Sequence, residues 1–178
     1  RREYDHVILE RNLGEEAQEN GASQNLIKEE QKIPLSELSE KGSLTISWGD
    51  DVFLFRIFPY EKKDQIPENT YTKWFDYDKI KNTLSIRTRR PGDYLMIRGG
   101  DGRPVRKRLK EYFITEKFPR RDRETLPLLV EEGQVLWITG HRISEAYKVE
   151  ECTKTILQVE WKKKWRTKDG GACQGTDI

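Results

Sequence analysis

The chain has 178 residues, of which 34% are hydrophobic and 36% charged, and its formal net charge is only +2. This length allows one medium-sized domain or two small ones. No run approaches the roughly 20 apolar residues of a membrane-spanning helix, so we predict no membrane-spanning segment in this sequence and no membrane partner. Cys152 and Cys173 are too few and too far apart for a disulfide framework or a metal site, so we expect a reducing, cytoplasmic setting.

Residues 1–71 are predicted to form a β-rich connecting segment. They begin with Arg1, without an initiating methionine or a signal peptide, so we expect the chain to be part of a longer protein. A strand is predicted around residues 7–9. Residues 12–32 are rich in Glu, Gln, Asn and Gly, a composition that favours a mobile acidic loop.

A hairpin is predicted next within this segment. Leu44–Trp48 alternates apolar with polar residues and Val52–Phe58 is mostly apolar, which indicates two strands joined by a tight turn at residues 49–51. Residues 62–71 then read as a polar linker that contains a proline.

Residues 72–161 are predicted to form a second, more distinctive unit. A short helix is expected to open at Asp76 or Asp78, because aspartate caps helix N-termini. The run Leu84–Arg90 resembles a strand, and Pro91-Gly92-Asp93 has the composition of a turn. A glycine-rich loop follows at residues 99–102.

A basic helix is predicted between Pro104, which suits a first helical turn, and Phe118-Pro119, where the proline ends it. Its apolar face would comprise Val105, Leu109, Tyr112 and Phe113, which recur at helical spacing. Its neighbouring arc would carry the cations Arg106, Lys107, Lys110 and Lys117.

The charge distribution points to a polyanionic partner. Residues 84–130 hold thirteen Lys or Arg against six Asp or Glu, a net of +7, whereas residues 1–60 hold seven against twelve, a net of −5. Such asymmetry is typical of nucleic-acid binding. Arg87, Arg89 and Arg90 would extend the basic surface, and phosphates are the groups that such cations contact. The alternative is a basic face that is merely solvated.

The rest of the chain completes an α+β fold. Short strands are predicted at Leu128–Val130, Val135–Thr139 and Thr155–Trp161, with Gly140-His141-Arg142 closing the unit and residues 162–178 forming a tail. We predict no catalytic, cofactor-binding or metal-ligating residue, because neither histidine has a metal-ligand partner nearby in sequence and the glycine-rich loop lacks a following Lys-Ser or Lys-Thr.

Several blocks, in order and with close spacing, resemble one known family. They are Arg89-Arg90-Pro91-Gly92-Asp93, Gly102, Lys107-Arg108-Leu109-Lys110-Glu111-Tyr112-Phe113, Lys117-Phe118-Pro119-Arg120, Leu126-Pro127-Leu128-Leu129-Val130 and Trp137 with Gly140-His141-Arg142. Together they are similar to the C-terminal domain of bacterial tRNA(Ile)-lysidine synthetase. The resemblance covers about residues 72–150 well and residues 1–60 loosely.

The resemblance implies both a fold and a role. The fold would be a β-rich N-terminal segment followed by a small sandwich-like α+β domain, shared with part of the phenylalanyl-tRNA synthetase β subunit. The intact enzyme would attach lysine to C2 of the wobble cytidine of tRNA(Ile) with a CAU anticodon, using ATP and Mg²⁺. This chain lacks the Ser-Gly-Gly-x-Asp-Ser loop of the catalytic domain, so its part would be tRNA recognition.

Taken together, the residues that we expect to contact tRNA are Arg87, Arg89, Arg90, Arg106, Lys107, Lys110, Lys117, Arg120, His141 and Arg142. Two alternatives are a basic nucleic-acid module of another fold and a non-catalytic protein-interaction domain. The sequence leaves the oligomeric state open, with a homodimer as one alternative.

Overall fold

The computed structural model describes residues 29–62 and 64–164. In chain order, their elements are β1 (Gln31–Ile33), α1 (Leu35–Lys41), β2 (Ser43–Trp48), β3 (Asp51–Pro59), β4 (Thr72–Asp76), a 3-10 helix (Tyr77–Lys79), β5 (Leu84–Arg87), β6 (Tyr94–Arg98), β7 (Pro104–Arg108), α2 (Leu109–Thr115), α3 (Arg120–Thr125), β8 (Leu128–Glu131), β9 (Gln134–Ile138), a second 3-10 helix (Glu145–Tyr147) and β10 (Thr155–Lys162). The strand predicted around residues 7–9, most of the loop predicted at 12–32 and most of the tail lie outside the described residues.

These elements form two sheets. The six-stranded sheet has the order β1-β5-β8-β9-β6-β7, and the four-stranded sheet has the order β2-β3-β10-β4. All strand pairs are antiparallel except β6 with β9, which meet in parallel at Tyr94 and Gln134. Strand β7 therefore lies at one edge of the six-stranded sheet.

Two hydrophobic cores hold the layers together. The larger core combines side chains of the four-stranded sheet, such as Phe53 and Phe75, with side chains of the six-stranded sheet, such as Ile86 and Trp137. The smaller core joins helix α2 to the six-stranded sheet. Because side chains alternate between the faces of a strand, the six-stranded sheet is covered on both sides. The predicted α+β class is confirmed.

The strand predictions for the hairpin β2–β3 and for β8, β9 and β10 are confirmed within one or two residues. The expected short helix is the 3-10 helix after β4, and it begins where the side chain of Asp76 accepts a hydrogen bond from the backbone N–H of Asp78 at 3.1 Å. A carboxylate that accepts an otherwise unpaired N–H is a helix cap.

Strand pairing crosses the boundary predicted at residue 71 in both sheets. Strand β10 lies between β3 and β4, and β1 pairs with β5. Each sheet thus takes strands from both sides of the boundary, because a strand gains its hydrogen bonds from any neighbour in space, whatever its distance along the chain.

The prediction of one helix from Pro104 to residue 118 is wrong. Residues 104–108 form strand β7 in register with β6, and α2 begins only at Leu109. Leu109, Tyr112 and Phe113 are buried as predicted, but Val105 is 41% exposed. Val105 has the spacing of a helical face with Leu109, but residues 104–108 also suit a strand. Pairing with β6 decides in favour of the strand.

Candidate nucleic-acid interface

The β6–β7 hairpin presents two of the predicted cations, Arg106 and Lys107, at the edge of the six-stranded sheet. Its connection is the glycine-rich loop, where the N–H of Gly99 donates to the carbonyl oxygen of Arg103 at 2.7 Å. A Cβ at Gly99 would lie 3.1 Å from Cγ1 of Val105, and Gly102 has φ +81°. Both positions favour glycine, because the first is crowded and the second is left-handed.

The hairpin has two chemically different faces. Directly paired residues of an antiparallel ladder share a face, and the pairs Tyr94–Arg108, Met96–Arg106 and Arg98–Pro104 alternate with Leu95–Lys107 and Ile97–Val105. Arg98, Arg106 and Arg108 therefore share one face, which we name the arginine face. The opposite face contains Leu95, which is buried in the core beneath helix α2.

The remaining predicted cations of this region lie on the helix side of the hairpin. Lys107 is half-buried on β7, and Lys110 is exposed in the first turn of α2. Lys117 is exposed just beyond α2 with φ 54°, and Arg120 begins α3. We name Lys107, Lys110 and Lys117 the lysine side. The single helical arc predicted for Arg106 and these lysines is thus divided between a strand, a helix and a turn.

The three arginines before the turn already have carboxylate partners. Arg87 is 4% exposed, and its guanidinium donates two hydrogen bonds of 2.8 Å to the two carboxylate oxygens of Asp93. Arg89 pairs with Glu124, and Arg90 pairs with Glu30 at 2.9 Å. Because Arg87 is enclosed, the prediction that it contacts RNA is corrected: it holds the Pro91-Gly92-Asp93 turn.

His141 and Arg142 pack beside the end of helix α2. The His141 ring meets the Phe118 ring edge-on, with centroids 4.6 Å apart, and partial burial lowers the pKa of His141. The guanidinium of Arg142 lies 3.5 Å from a carboxylate oxygen of Glu145. His141 is exposed and Arg142 is half-buried, and the ion pair with Glu145 holds Arg142 in place.

Glu145 connects Arg142 to the arginine face. Its carboxylate also pairs with Lys148 at 2.6 Å. Burial raises the pKa of Glu145, but the bond and charge of Lys148 together with the charges of Arg98 and Arg142 outweigh it, so the pKa is lowered. One ionised carboxylate thus lies among three cations, which leaves a local excess of positive charge.

Two arginines of the hairpin, Arg98 and Arg108, were not among the predicted contacts. The sequence pattern that could have identified them is the pair of five-residue runs on either side of the glycine-rich loop, which is typical of a β-hairpin. The predicted helix over residues 104–108 is incompatible with that hairpin.

The region as a whole is strongly cationic. Residues 98–121 hold nine Lys or Arg against three Asp or Glu. Within the described part of the chain, Arg106, Lys107, Arg108, Lys110 and Lys117 form no ion pair. Such a surface can bind phosphates. A competing role also exists, because cations on an exposed edge strand deter pairing with other sheets.

Other sites carry less chemistry. A polar recess near Tyr94 and Gly133 contains Glu131, whose carboxylate accepts hydrogen bonds from the N–H groups of Lys81 and Asn82 and from the Tyr147 hydroxyl. Among the described residues, no three His, Cys, Asp or Glu side chains are grouped as metal ligands, and no helix is long and apolar enough to cross a membrane.

Comparison with known proteins places these features in context. Residues 84–161 match the family model described as the TilS substrate C-terminal domain. The chain is 33% identical over 136 residues to a tRNA(Ile)-lysidine synthase of Caldanaerobacter subterraneus, which covers 76% of this chain and 28% of that protein. It is 39% identical over 98 residues to a tRNA(Ile)-lysidine synthase of Clostridium tetani, covering 55% of this chain and 20% of that protein.

The chain thus spans between a fifth and somewhat more than a quarter of the length of these two relatives. A crystal structure of a TILS C-terminal domain is 24% identical, covers 62% of this chain and 83% of its own, and has a TM-score of 0.47.

Proposed function

We infer that this chain, whose residues 84–161 belong to the TilS substrate C-terminal domain family, is the C-terminal part of a tRNA(Ile)-lysidine synthase and binds tRNA(Ile) with a CAU anticodon. In the whole protein, lysine would be ligated to C2 of the wobble cytidine with ATP and Mg²⁺ in the cytoplasm. This sequence contains no Ser-Gly-Gly-x-Asp-Ser phosphate loop, so we assign the chemistry to another part of that protein.

The observation that carries the proposal is the exposed, unpaired charge around the hairpin and helix α2. A cation that is already paired with a carboxylate gains little binding free energy from a phosphate, because it exchanges one anionic partner for another. Arg106, Arg108 and Lys110 have no such partner within the described residues and are exposed. Binding a polyanion would release the counterions condensed on it, which makes the affinity depend on salt concentration.

Binding of the 178-residue chain to a transcript of tRNA(Ile), measured over a range of salt concentrations, tests this proposal. The variant Arg106→Gln/Lys110→Gln removes one cation from each side of the hairpin. We expect weaker binding and a shallower slope of log affinity against log salt, by about 0.7–0.9 for each residue that contacts a phosphate.

The control Lys41→Gln/Lys162→Gln removes the same charge from exposed positions on α1 and at the end of β10. We expect it to bind like the unaltered chain. Absence of binding by the unaltered chain, or equal losses in both variants, would contradict the proposal. With ATP and lysine added, we expect no lysidine from this chain.

A further inference from the structure

The cations around the hairpin point to two different sides, so one RNA backbone cannot follow all of them. Arg98, Arg106 and Arg108 lie on the arginine face, whereas Lys107 faces helix α2, which carries Lys110. Resting on the proposed function, we propose that the tRNA backbone is bound on the arginine face and not along the lysine side.

The first argument is the spacing and chemistry of the arginines. Alternate residues of a strand are separated by roughly 6–7 Å, so Arg106 and Arg108 stand in a row, and Arg98 lies on the same face of the neighbouring strand. All three are exposed. The planar guanidinium offers paired N–H donors that match two phosphate oxygens, which an ammonium group cannot do.

The second argument is that the arginine face is partly organised before binding. The guanidinium carbon of Arg106 lies 3.7 Å from the centroid of the Tyr94 ring, and the Tyr94 hydroxyl donates a hydrogen bond to Oε1 of Gln134 at 3.1 Å. A stacked guanidinium loses less conformational freedom on binding than a flexible lysine. The lysine side has no comparable contact on Lys110 or Lys117 among the described residues.

The third argument is the distribution of negative charge. Helix α2, which carries Lys110, also carries Glu111 and ends at the C-cap residue Glu116, and both glutamates are exposed. On the hairpin, the arginine face carries no carboxylate among its paired residues. Arg98 interacts electrostatically with Glu145, whose carboxylate already pairs with Arg142 and Lys148. A phosphate would therefore meet less repulsion on the arginine face.

The experiment compares two variants that remove equal charge. Arg98→Gln/Arg106→Gln/Arg108→Gln neutralises the arginine face, and Lys107→Gln/Lys110→Gln/Lys117→Gln neutralises the lysine side. Binding of each 178-residue variant to the tRNA(Ile) transcript is measured at several salt concentrations. We expect the arginine variant to flatten the salt slope by about 2.1–2.7, and the lysine variant to change it by less than about 0.9.

Thermal unfolding of both variants shows whether they remain folded. If loss of the Tyr94–Arg106 contact unfolds the triple variant, Arg98→Gln/Arg108→Gln retains that contact and should still flatten the slope by about 1.4–1.8. An equal or larger loss in the lysine variant, or no loss in either variant, overturns the choice of face while leaving tRNA binding intact. Failure of the unaltered chain to bind the transcript overturns the proposed function itself.

Discussion

At the scale of single residues, adjacent positions on helix α2 have opposite environments. Phe113 is completely buried against Phe118 and the six-stranded sheet, whereas the neighbouring Ile114 is 55% exposed. The difference follows from helical geometry, because successive side chains are about 100° apart around the axis. Position on the helix, more than hydrophobicity, therefore decides how much each of these two residues contributes to the stability of the fold.

We predict that Phe113→Ala lowers the free energy of unfolding by about 3–5 kcal/mol, because it removes a large buried side chain and leaves a cavity. Ile114→Ala, one residue along the same helix, should change it by no more than about 0.5 kcal/mol. Denaturant unfolding measures both. Equal effects of the two substitutions would mean that α2 packs with a different face.

His141 should make stability depend on pH. Burial lowers its pKa in the folded chain below the ordinary value of 6.5, so between the two pKa values the unfolded chain binds a proton that the folded chain does not. Stability is therefore predicted to fall as the pH drops below about 6.5. His141→Gln should reduce the loss of unfolding free energy between about pH 7.5 and pH 5.5. An unchanged pH dependence in that window would show that His141 is not responsible.

At the scale of elements, the turn after β5 is a junction that positions the hairpin and helix α2. The Asp93 carboxylate accepts hydrogen bonds from the Arg87 guanidinium and from the N–H of Arg90 at 2.7 Å. Its backbone carbonyl oxygen accepts from the N–H of Leu109 at 2.9 Å. One residue thus joins β5, the start of β6 and the start of α2.

We predict that Asp93→Ala destabilises the fold by about 3–5 kcal/mol, because it removes the two 2.8 Å hydrogen bonds of the buried Arg87 guanidinium and leaves its charge with only the 4.0 Å ion pair to Glu30. Replacing both partners, as in Arg87→Met/Asp93→Leu, should cost less than this single change. The exposed pair of Arg89 and Glu124 provides the comparison, and Glu124→Ala should cost no more than about 1 kcal/mol. Thermal or denaturant unfolding distinguishes these outcomes. A small effect of Asp93→Ala would show that water solvates the Arg87 guanidinium in the variant.

At the scale of the whole molecule, strand β10 joins the C-terminal end of the described chain to strands of its N-terminal half. It pairs along its length with β3 and on its other side with β4. The larger core draws on Phe53 and Phe55 from β3 as well as on Val159 and Trp161 from β10. The C-terminal residues therefore depend on the N-terminal segment for both hydrogen bonds and buried apolar surface.

We predict that a chain of residues 72–178 alone does not fold cooperatively, because β10 would lose a partner strand and the larger core would lose its β2 and β3 side chains. Circular dichroism and the dispersion of amide resonances would test this. Co-expression with residues 1–71 should restore the folded state. A cooperative, well-dispersed fold for residues 72–178 alone would show that the smaller core and remaining strands suffice.

The sequence by itself determined the elements whose signals are local. Alternation and a short apolar run predicted the two strands of the β2–β3 hairpin. Helical spacing predicted that Leu109, Tyr112 and Phe113 are buried, and the ordered motifs of residues 89–142 indicated the family. It also located the positive charge. The likeness to part of the phenylalanyl-tRNA synthetase β subunit stays a prediction.

Only the tertiary structure decided how those elements combine. Residues 104–108 suit a helix or a strand, and pairing with β6 makes them a strand, which moves Arg106 and Lys107 to opposite faces. Arg87, which the sequence suggests as a surface cation, is buried and forms an ion pair with Asp93 that holds the turn after β5. In each case the deciding partner is fixed by packing and register, whereas local periodicity specifies only which side chains can share a face.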